Sequence, residues 1–95
     1  MTEEEALVAN VHEAIQKCKS VLGEKSGEEK NDLLGVVGKA EMVAESFELG
    51  EVDRAKISIY AFSRHVSDSY YSQPPEFREL SLSVTHIEKY IFRGA

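Results

Sequence analysis

The clearest fold signal in this sequence is FRELSLSVTHIEKYI, residues 77–91. Its apolar residues recur at alternating steps of three and four, the spacing that places side chains on one face of an α-helix. The run SLSVT at 81–85 also alternates like a β-strand, but the helical spacing passes through it and extends well beyond it. We therefore predict a helix whose buried face contains Phe77, Leu80, Val84, Ile87 and Ile91.

Three earlier segments repeat this helical spacing, and strand alternation is sustained nowhere. The SQPP run at 72–75 separates the last two helices, because proline lacks a backbone donor and disfavours helical geometry in the preceding residue. Short links favour antiparallel neighbours, so we predict an all-α, up-down-up-down four-helix bundle in one domain, residues 1–95. The predicted helices span residues of about 3–22, 27–49, 52–71 and 75–92.

We also predict how two of the helices begin and how one of them ends. Thr2 with Glu5, and Ser26 with Glu29, have the spacing of a capping box, in which side chains satisfy the free backbone N–H groups. Gly23 follows the first helix, where glycine commonly adopts a left-handed cap conformation.

Two glycines, Gly35 and Gly38, lie inside the second predicted helix. Each costs about 1 kcal/mol relative to alanine in a helix interior. They either permit close approach of a neighbouring helix or mark a locally weak turn, and the sequence leaves both interpretations open.

The charge of the chain is unevenly distributed. The chain has 95 residues and a formal charge of −6. Residues 1–53 carry thirteen acidic and five basic side chains, whereas residues 54–95 carry four and six, which gives formal charges of −8 and +2. An acidic half repels phosphate backbones, which disfavours direct nucleic-acid binding, and it attracts basic proteins. The alternative is that the acidic surface serves only solubility.

Length and segment composition predict a cytoplasmic protein. Ninety-five residues suit one domain. No apolar run is long enough for a transmembrane helix, so we expect no membrane association. Residues 1–5 are acidic where a signal peptide needs lysine or arginine, and a single cysteine cannot form an internal disulfide.

Few residues are suited to catalysis or metal binding. His12, His65 and His86 each stand without a second ligand at a recognised metal spacing. His86 has a lysine at the offset found in histidine phosphotransfer domains, but Tyr90 follows where that family keeps a small residue. Cys18 lies on the apolar face of the first helix, which predicts a buried hydrophobic residue. We expect no enzyme activity, no catalytic residue, no cofactor and no metal.

The second predicted helix carries a stripe of acidic residues. Glu41, Glu45 and Glu48 are spaced by four and three residues, so they share one side of the helix, beside its apolar face. Glu51 and Asp53 extend this acidic surface around the following turn. A cationic partner would relieve the repulsion between these like charges, which suggests a binding surface.

The alternative for this stripe is a solvated helix face, softened by Lys39 and Arg54. Tyr70 and Tyr71, at the predicted end of the third helix, are candidates for an exposed aromatic rim, because tyrosine is enriched at interfaces. The alternative is that these tyrosines seal the end of the bundle.

The segments AESFE at 44–48 and DRA at 53–55 resemble the immunity proteins of colicin D-type tRNase toxins. Those proteins are small, acidic, cytoplasmic helical bundles that block the basic active site of the toxin. The resemblance covers these segments together with length, charge and helix count. It implies a binding role in which acidic residues imitate the RNA backbone, while the candidate residues themselves follow from the charge argument.

One function is therefore expected, with two alternatives. The expected function is inhibition or sequestration of a basic protein partner, with a toxin–immunity pair as its sharpest form. One alternative is a secretion or assembly chaperone that uses an apolar groove, and the other is a structural homo-oligomer, such as a homodimer, that pairs through the 77–91 face. The expected partner-binding residues are Glu41, Glu45, Glu48, Glu51, Asp53, Tyr70 and Tyr71.

Overall fold

The structure, a computed structural model, describes residues 1–69 and 73–93. Across these two ranges it consists of four helices and contains no strand, which confirms the predicted all-α, four-helix class. The helices are α1 (Glu3–Leu22), α2 (Gly27–Glu48), α3 (Val52–Asp68) and α4 (Pro75–Arg93).

The hydrophobic core draws on all four helices. α1 packs against both α2 and α4, and α3 packs mainly against α2. The predicted face of α4 is confirmed, since Phe77, Leu80, Val84 and Ile87 are buried and Ile91 is partly buried. Each fully buried side chain of this kind stabilises the fold by about 1.5–3 kcal/mol. Because this face lies in the core of one chain, it is not available for the homo-oligomer alternative.

Polar contacts near both ends show that α1 and α4 run antiparallel. Lys17 Nζ lies 3.2 Å from Glu79 Oε2 near the start of α4, and Arg93 at the other end lies 2.9 Å from Glu3 Oε1. Exposed ion pairs of this kind contribute little stability, so the buried apolar faces hold the two helices together. The up-down-up-down order of all four helices stays a prediction.

The predicted end of the third helix at residue 71 is wrong. α3 ends at Asp68, and Ser69 has extended backbone with φ −62° and ψ 132°. The Ser69 hydroxyl donates to Asp32 Oδ2 at 2.6 Å, and such side-chain bonds compete with continuation of a helix. Tyr70 and Tyr71, the predicted aromatic rim, lie outside the described residues.

One of the two predicted capping boxes is confirmed. The Glu5 N–H donates to the Thr2 hydroxyl at 3.1 Å, and the Glu5 carboxylate accepts from the Thr2 N–H at 3.3 Å. The second box is wrong. Ser26 precedes α2 in extended geometry, but its side chain makes no cap hydrogen bond. The Glu29 carboxylate instead lies 3.6 Å from Lys25 Nζ, so this side chain forms an ion pair and does not cap the start of α2.

The left-handed cap predicted for Gly23 is also wrong. Gly23 is right-handed helical at φ −61°, because the chain leaves α1 through tight turns with hydrogen bonds between residues three apart. The left-handed residue of this link is Gly27, with φ 64°. Gly50 has φ 75° and makes the turn that follows α2.

Gly35 and Gly38 serve different purposes in α2. A Cβ atom on Gly35 would lie 2.6 Å from Cε1 of His65, so glycine at this position permits the close approach of α3. A Cβ atom on Gly38 would have no heavy atom within 4 Å. Of the two interpretations left open by the sequence, close approach therefore holds for Gly35, whereas Gly38 faces open space.

Candidate partner-binding surface

The predicted acidic stripe lies on the exposed side of α2. Glu41, Glu45 and Glu48 are all exposed. Lys19 of α1 reaches the first of them, with 3.6 Å between its Nζ and Glu41 Oε2. Glu45 and Glu48 make no ion pair or side-chain hydrogen bond with any residue that the structure describes. Two of the three carboxylates thus keep their charge uncompensated on this face.

The acidic surface continues past the turn between α2 and α3. The left-handed Gly50 and a 2.9 Å hydrogen bond from the Glu51 N–H to the Ser46 carbonyl close this turn. The Glu51 carboxylate lies 3.3 Å from Arg54, so this pair is neutral. Asp53 is exposed and has no ion pair within the described ranges. Asp53 therefore adds to the negative charge at this end of the bundle.

Lys39 does not soften the acidic stripe, contrary to the solvated-face alternative. Its ammonium lies on the α3 side of α2 and donates to Nδ1 of His65 at 2.9 Å. Among the described residues, the cation that pairs with the stripe is Lys19, through Glu41. The sequence cannot reveal Lys19 in this role, because its contact depends on how α1 and α2 are rotated against each other.

Exposed apolar residues border the acidic stripe on α2. Leu34, Met42 and Leu49 are exposed, and Leu49 is 61% accessible. With Gly38 and Glu45 they follow steps of four, four, three and four residues, so they share one side of the helix. Apolar contact area framed by charge is typical of protein interfaces. Helical spacing does not single these residues out, because it identifies the apolar positions on the buried side of the helix.

A groove of about 390 Å³ lies between α2 and α3. Gly38, which has no side chain, and Ala61, with only a methyl group, leave the depression open, and Met42 and Ile57 line it with large apolar side chains. Ile57 is 70% exposed and Met42 is 46% exposed. The groove therefore offers apolar surface to solvent beside the acidic stripe.

Glu48 also lines a second depression, of about 340 Å³, between the start of α1 and the end of α2. Glu4 and Glu5 bring two more carboxylates to its rim, and Phe47 supplies apolar surface. The Phe47 ring packs edge-on against Tyr90, with 5.6 Å between ring centroids. The N-terminal acidic residues of α1 thereby extend the negative surface of α2.

A partly buried polar cluster joins α2 to the end of α3. His65 Nε2 lies 3.0 Å from Asp32 Oδ1, and its Nδ1 accepts from Lys39 at 2.9 Å. The Ser69 hydroxyl donates to Asp32 Oδ2 at 2.6 Å. Because a lysine ammonium has donors only, this arrangement assigns the proton of a neutral imidazole to Nε2, which donates to the carboxylate.

This hydrogen bonding holds the pKa of Asp32 below its ordinary value of 3.8. The Ser69 hydroxyl has the largest effect, partial burial opposes it, and His65 and Lys39 lower the pKa further. Both ring nitrogens of His65 and both oxygens of Asp32 are engaged in the cluster. The cluster therefore ties α2 to α3 and presents no free nitrogen as a general base.

Cys18 is a buried core residue, as the sequence predicts. Its thiol donates weakly to the Glu76 carbonyl of α4, with 3.5 Å between the two atoms. Burial, reinforced by the charges of Glu76 and Glu79, raises the pKa of the thiol from 9.0 to about 11. A thiol with so high a pKa is a poor nucleophile at neutral pH.

The other histidines lie on exposed helix positions, His12 on α1 and His86 on α4. In the described parts of the chain, no three His, Cys, Asp or Glu side chains are grouped so that they could hold a metal ion. None of the helices described combines the length and the apolar content needed to cross a membrane.

No protein-family model, curated protein or solved structure matches this chain.

Proposed function

We propose that this chain is a non-enzymatic binding domain that sequesters a basic protein partner through the exposed side of α2. The observation that carries the proposal is the pair Glu45 and Glu48, two exposed carboxylates one helical turn apart with no cation on either among the described residues. Like charges at this spacing destabilise a helix by a few tenths of a kcal/mol. A lysine or arginine of the partner would replace that repulsion with charge-assisted hydrogen bonds.

The uneven charge of the chain supports the same proposal. Residues 1–53, which contain α1 and α2, carry a formal charge of −8. A field of this kind accelerates the encounter with a basic protein, and salt screens it with a Debye length of about 8 Å at physiological ionic strength. The exposed side chains of Met42 and Leu49 would then supply short-range apolar contact in the docked complex.

A toxin–immunity pair is the sharpest form of this proposal. The partner would be a nuclease toxin whose basic cleft binds RNA, and the carboxylates would occupy positions of phosphate groups. Its support is the resemblance of segments 44–48 and 53–55 to colicin D-type immunity proteins, together with the acidic half. Such a protein would act in the cytoplasm and would need no cofactor. The proposed binding residues are Glu41, Glu45, Glu48, Glu51 and Asp53, with Tyr70 and Tyr71 as further predictions.

A secretion or assembly chaperone is the second candidate, favoured by the groove between α2 and α3. The groove exposes Met42 and Ile57, and flexible methionine side chains suit surfaces that bind varied apolar segments. Binding through apolar contact alone would depend little on ionic strength, whereas binding through the acidic stripe would weaken steeply with salt. Salt dependence therefore distinguishes the two candidates.

The proposed function is tested by association kinetics. The partner is captured from the source cells, identified and purified, and its association and dissociation rates are measured over a range of salt concentrations. Replacing Glu41, Glu45 and Glu48 together by glutamine should slow association about 10-fold at low salt and flatten its salt dependence, because surface charges act mainly on the association rate.

A matched variant controls for net charge. Replacing Glu13, Glu24 and Glu79 by glutamine removes the same charge from exposed positions outside the stripe. This control should change the association rate much less than the stripe variant does. Equal effects of both variants would assign the binding to net charge, and an unchanged rate and salt slope in the stripe variant would overturn the proposal.

A further inference from the structure

Among the residues that the structure describes, none packs so closely against Gly38 that it requires a glycine there. It lies in the middle of α2, where glycine destabilises a helix by about 1 kcal/mol relative to alanine. Gly35, one turn earlier, needs its glycine because His65 packs against it, but a Cβ atom on Gly38 would have no heavy atom within 4 Å. A glycine that the fold does not require, facing a groove, leaves room for a group from outside the chain.

The groove at Gly38 is shaped for an apolar ridge. Ala61 of α3 faces the same depression, so small residues from both helices line it. Met42 and Ile57 present apolar side chains there that are 46% and 70% exposed. Every backbone group in the interior of α2 and α3 is used by the helices themselves, so an extended strand could not be held by main-chain hydrogen bonds. An amphipathic helix, which docks through side chains, fits such a surface.

The length of the exposed apolar side of α2 fits the same kind of occupant. Leu34, Met42 and Leu49 are exposed on one side of the helix. At 1.5 Å per residue the first and last of them are about 22 Å apart along the axis, which is about four turns of a helix. A partner segment of about 15 residues would cover this distance.

The charges beside the groove favour a basic helix. Lys39 lines the groove, but the Asp32 carboxylate balances its charge in the cluster around His65. Arg54 lies 3.3 Å from Glu51 and is paired there. On the acidic side, Glu45 shares the exposed side of α2 with Met42 and has no ion pair among the described residues. The exposed side of α2 next to the groove therefore presents free negative charge, which complements lysine or arginine beside an apolar ridge.

We propose that the groove between α2 and α3 binds one amphipathic helix of the basic partner, with its apolar ridge over Gly38 and its cationic flank on Glu45 and Glu41. The inference rests on the proposed function and adds the form of the partner segment. A second copy of this chain fits the groove poorly, because symmetric pairing would bring two acidic stripes together in a chain of formal charge −6.

The test uses a defined probe, a fluorescein-labelled helical peptide of about 18 residues with a leucine ridge and lysine flanks. Two control peptides replace the lysines by glutamate or the leucines by serine. Fluorescence anisotropy should show binding of the first peptide, and at least about 10-fold weaker binding of either control, since ridge and flank both contribute. Absence of binding, or equal binding of the glutamate peptide, would overturn the inference.

Gly38→Ala is the most informative variant, because we expect it to stabilise the fold and to weaken peptide binding. Alanine should raise the midpoint of thermal unfolding, since it favours the helix and has room for its methyl group. The same methyl group should weaken peptide binding about 10-fold by filling the groove. Leu82→Ser on α4, which removes an exposed leucine far from the groove, should leave binding unchanged. Wild-type affinity in Gly38→Ala would contradict the proposed docking site.

Two further outcomes separate this inference from the proposed function. If the Gly38→Ala protein binds the captured partner normally while the triple glutamine variant associates slowly, the partner uses the acidic stripe without the groove, and this inference fails alone. Analytical ultracentrifugation tests whether the chain forms a dimer through the groove. A concentration-dependent dimer that Gly38→Leu abolishes would assign the groove to a second copy and overturn the inference.

Discussion

Gly35 and His65 oppose each other across the interface of α2 and α3, so closely that a Cβ atom at position 35 would lie 2.6 Å from the imidazole Cε1. The ring cannot swing aside freely, because Asp32 and Lys39 hold its two nitrogens at 3.0 Å and 2.9 Å. The polar cluster therefore fixes the ring, and the missing side chain at position 35 provides its space.

We expect Gly35→Ala to destabilise the protein only while His65 is present. In the wild-type background the new methyl group meets a fixed ring, and overpacking of this kind costs about 1–3 kcal/mol. In a His65→Ala background the clash is gone, and alanine should stabilise the helix by up to about 1 kcal/mol. Urea unfolding of the four proteins of a double-mutant cycle measures this coupling.

Gly38→Ala is the matched control for this cycle. Because nothing lies within 4 Å of the added methyl group, Gly38→Ala should stabilise the protein equally with and without His65. Additive effects of Gly35→Ala and His65→Ala would show that the ring does not determine the need for glycine at position 35.

The pKa of Asp32 predicts how stability depends on pH in acid. Its folded-state pKa lies below 3.8, so the folded protein binds this proton less readily than the unfolded chain does. The resulting stabilisation is complete above the unfolded pKa and is lost as pH falls through the folded pKa. We expect the free energy of unfolding to fall more steeply below about pH 4 in the wild type than in Asp32→Asn.

Urea unfolding at a series of pH values measures this difference. Ser69→Ala removes the largest cause of the lowered pKa and should give a slope between those of the wild type and Asp32→Asn. Asp53→Asn, at an exposed position, should keep the wild-type slope. The same slope in wild type and Asp32→Asn would show that this carboxyl does not couple to folding.

The helices could be predicted from sequence because the apolar residues that recur at helical spacing are the same residues that the fold buries. The 77–91 stretch shows this most clearly, since the residues on its predicted face are the ones that the core contains. The ends were less predictable. The helical spacing of apolar residues continues past Asp68, where α3 ends. The hydrogen bond from Ser69 to Asp32 joins residues 37 positions apart, so helical spacing cannot predict it.

The candidate site was predictable only where residues lie on one helix. The spacing of Glu41, Glu45 and Glu48 placed them on the exposed side of α2. The polar cluster around His65 was missed because its members come from two helices. One signal existed, since Asp32 and His65 lie at nearly equal distances from the turn at 49–51, as contacts in an antiparallel pair must.

Ser46→Ala should stabilise the protein. The Ser46 side chain is fully buried, and its hydroxyl finds no hydrogen-bond partner among the described residues. Removing a buried hydroxyl that has no partner relieves a desolvation penalty, so we expect a gain of about 1 kcal/mol in the free energy of unfolding. Differential scanning calorimetry or urea unfolding measures this gain.

Ser83→Ala is the control for this prediction. Ser83 is also buried in a helix, but its hydroxyl donates to the Leu80 carbonyl at 2.7 Å. Both substitutions gain the same helix propensity, and only Ser83→Ala loses a hydrogen bond. Ser46→Ala should therefore be the more stable variant, and the reverse order would mean that the Ser46 hydroxyl does have a partner in solution.

Cys18 should react slowly with thiol reagents in the folded protein and rapidly once the protein is denatured. A pKa of about 11 instead of 9.0 leaves about 100-fold less thiolate at neutral pH, and burial blocks access as well. Absorbance during reaction with an aromatic disulfide, with and without guanidinium, measures both rates. Equal rates in the two states would place the thiol on the surface and contradict the orientation of α1.

Arg93 and Glu3, 2.9 Å apart, place the end of the last helix beside the start of the first. A short peptide could bridge these positions without disturbing the bundle, and the chain could then be opened at the link between α1 and α2. Such circular permutation succeeds at exposed loops when the two helix ends to be joined lie close together. A permuted gene that begins with α2 would encode the acidic stripe in its first helix, and we expect the permuted protein to present the same surface, since the contacts among the four helices would be unchanged.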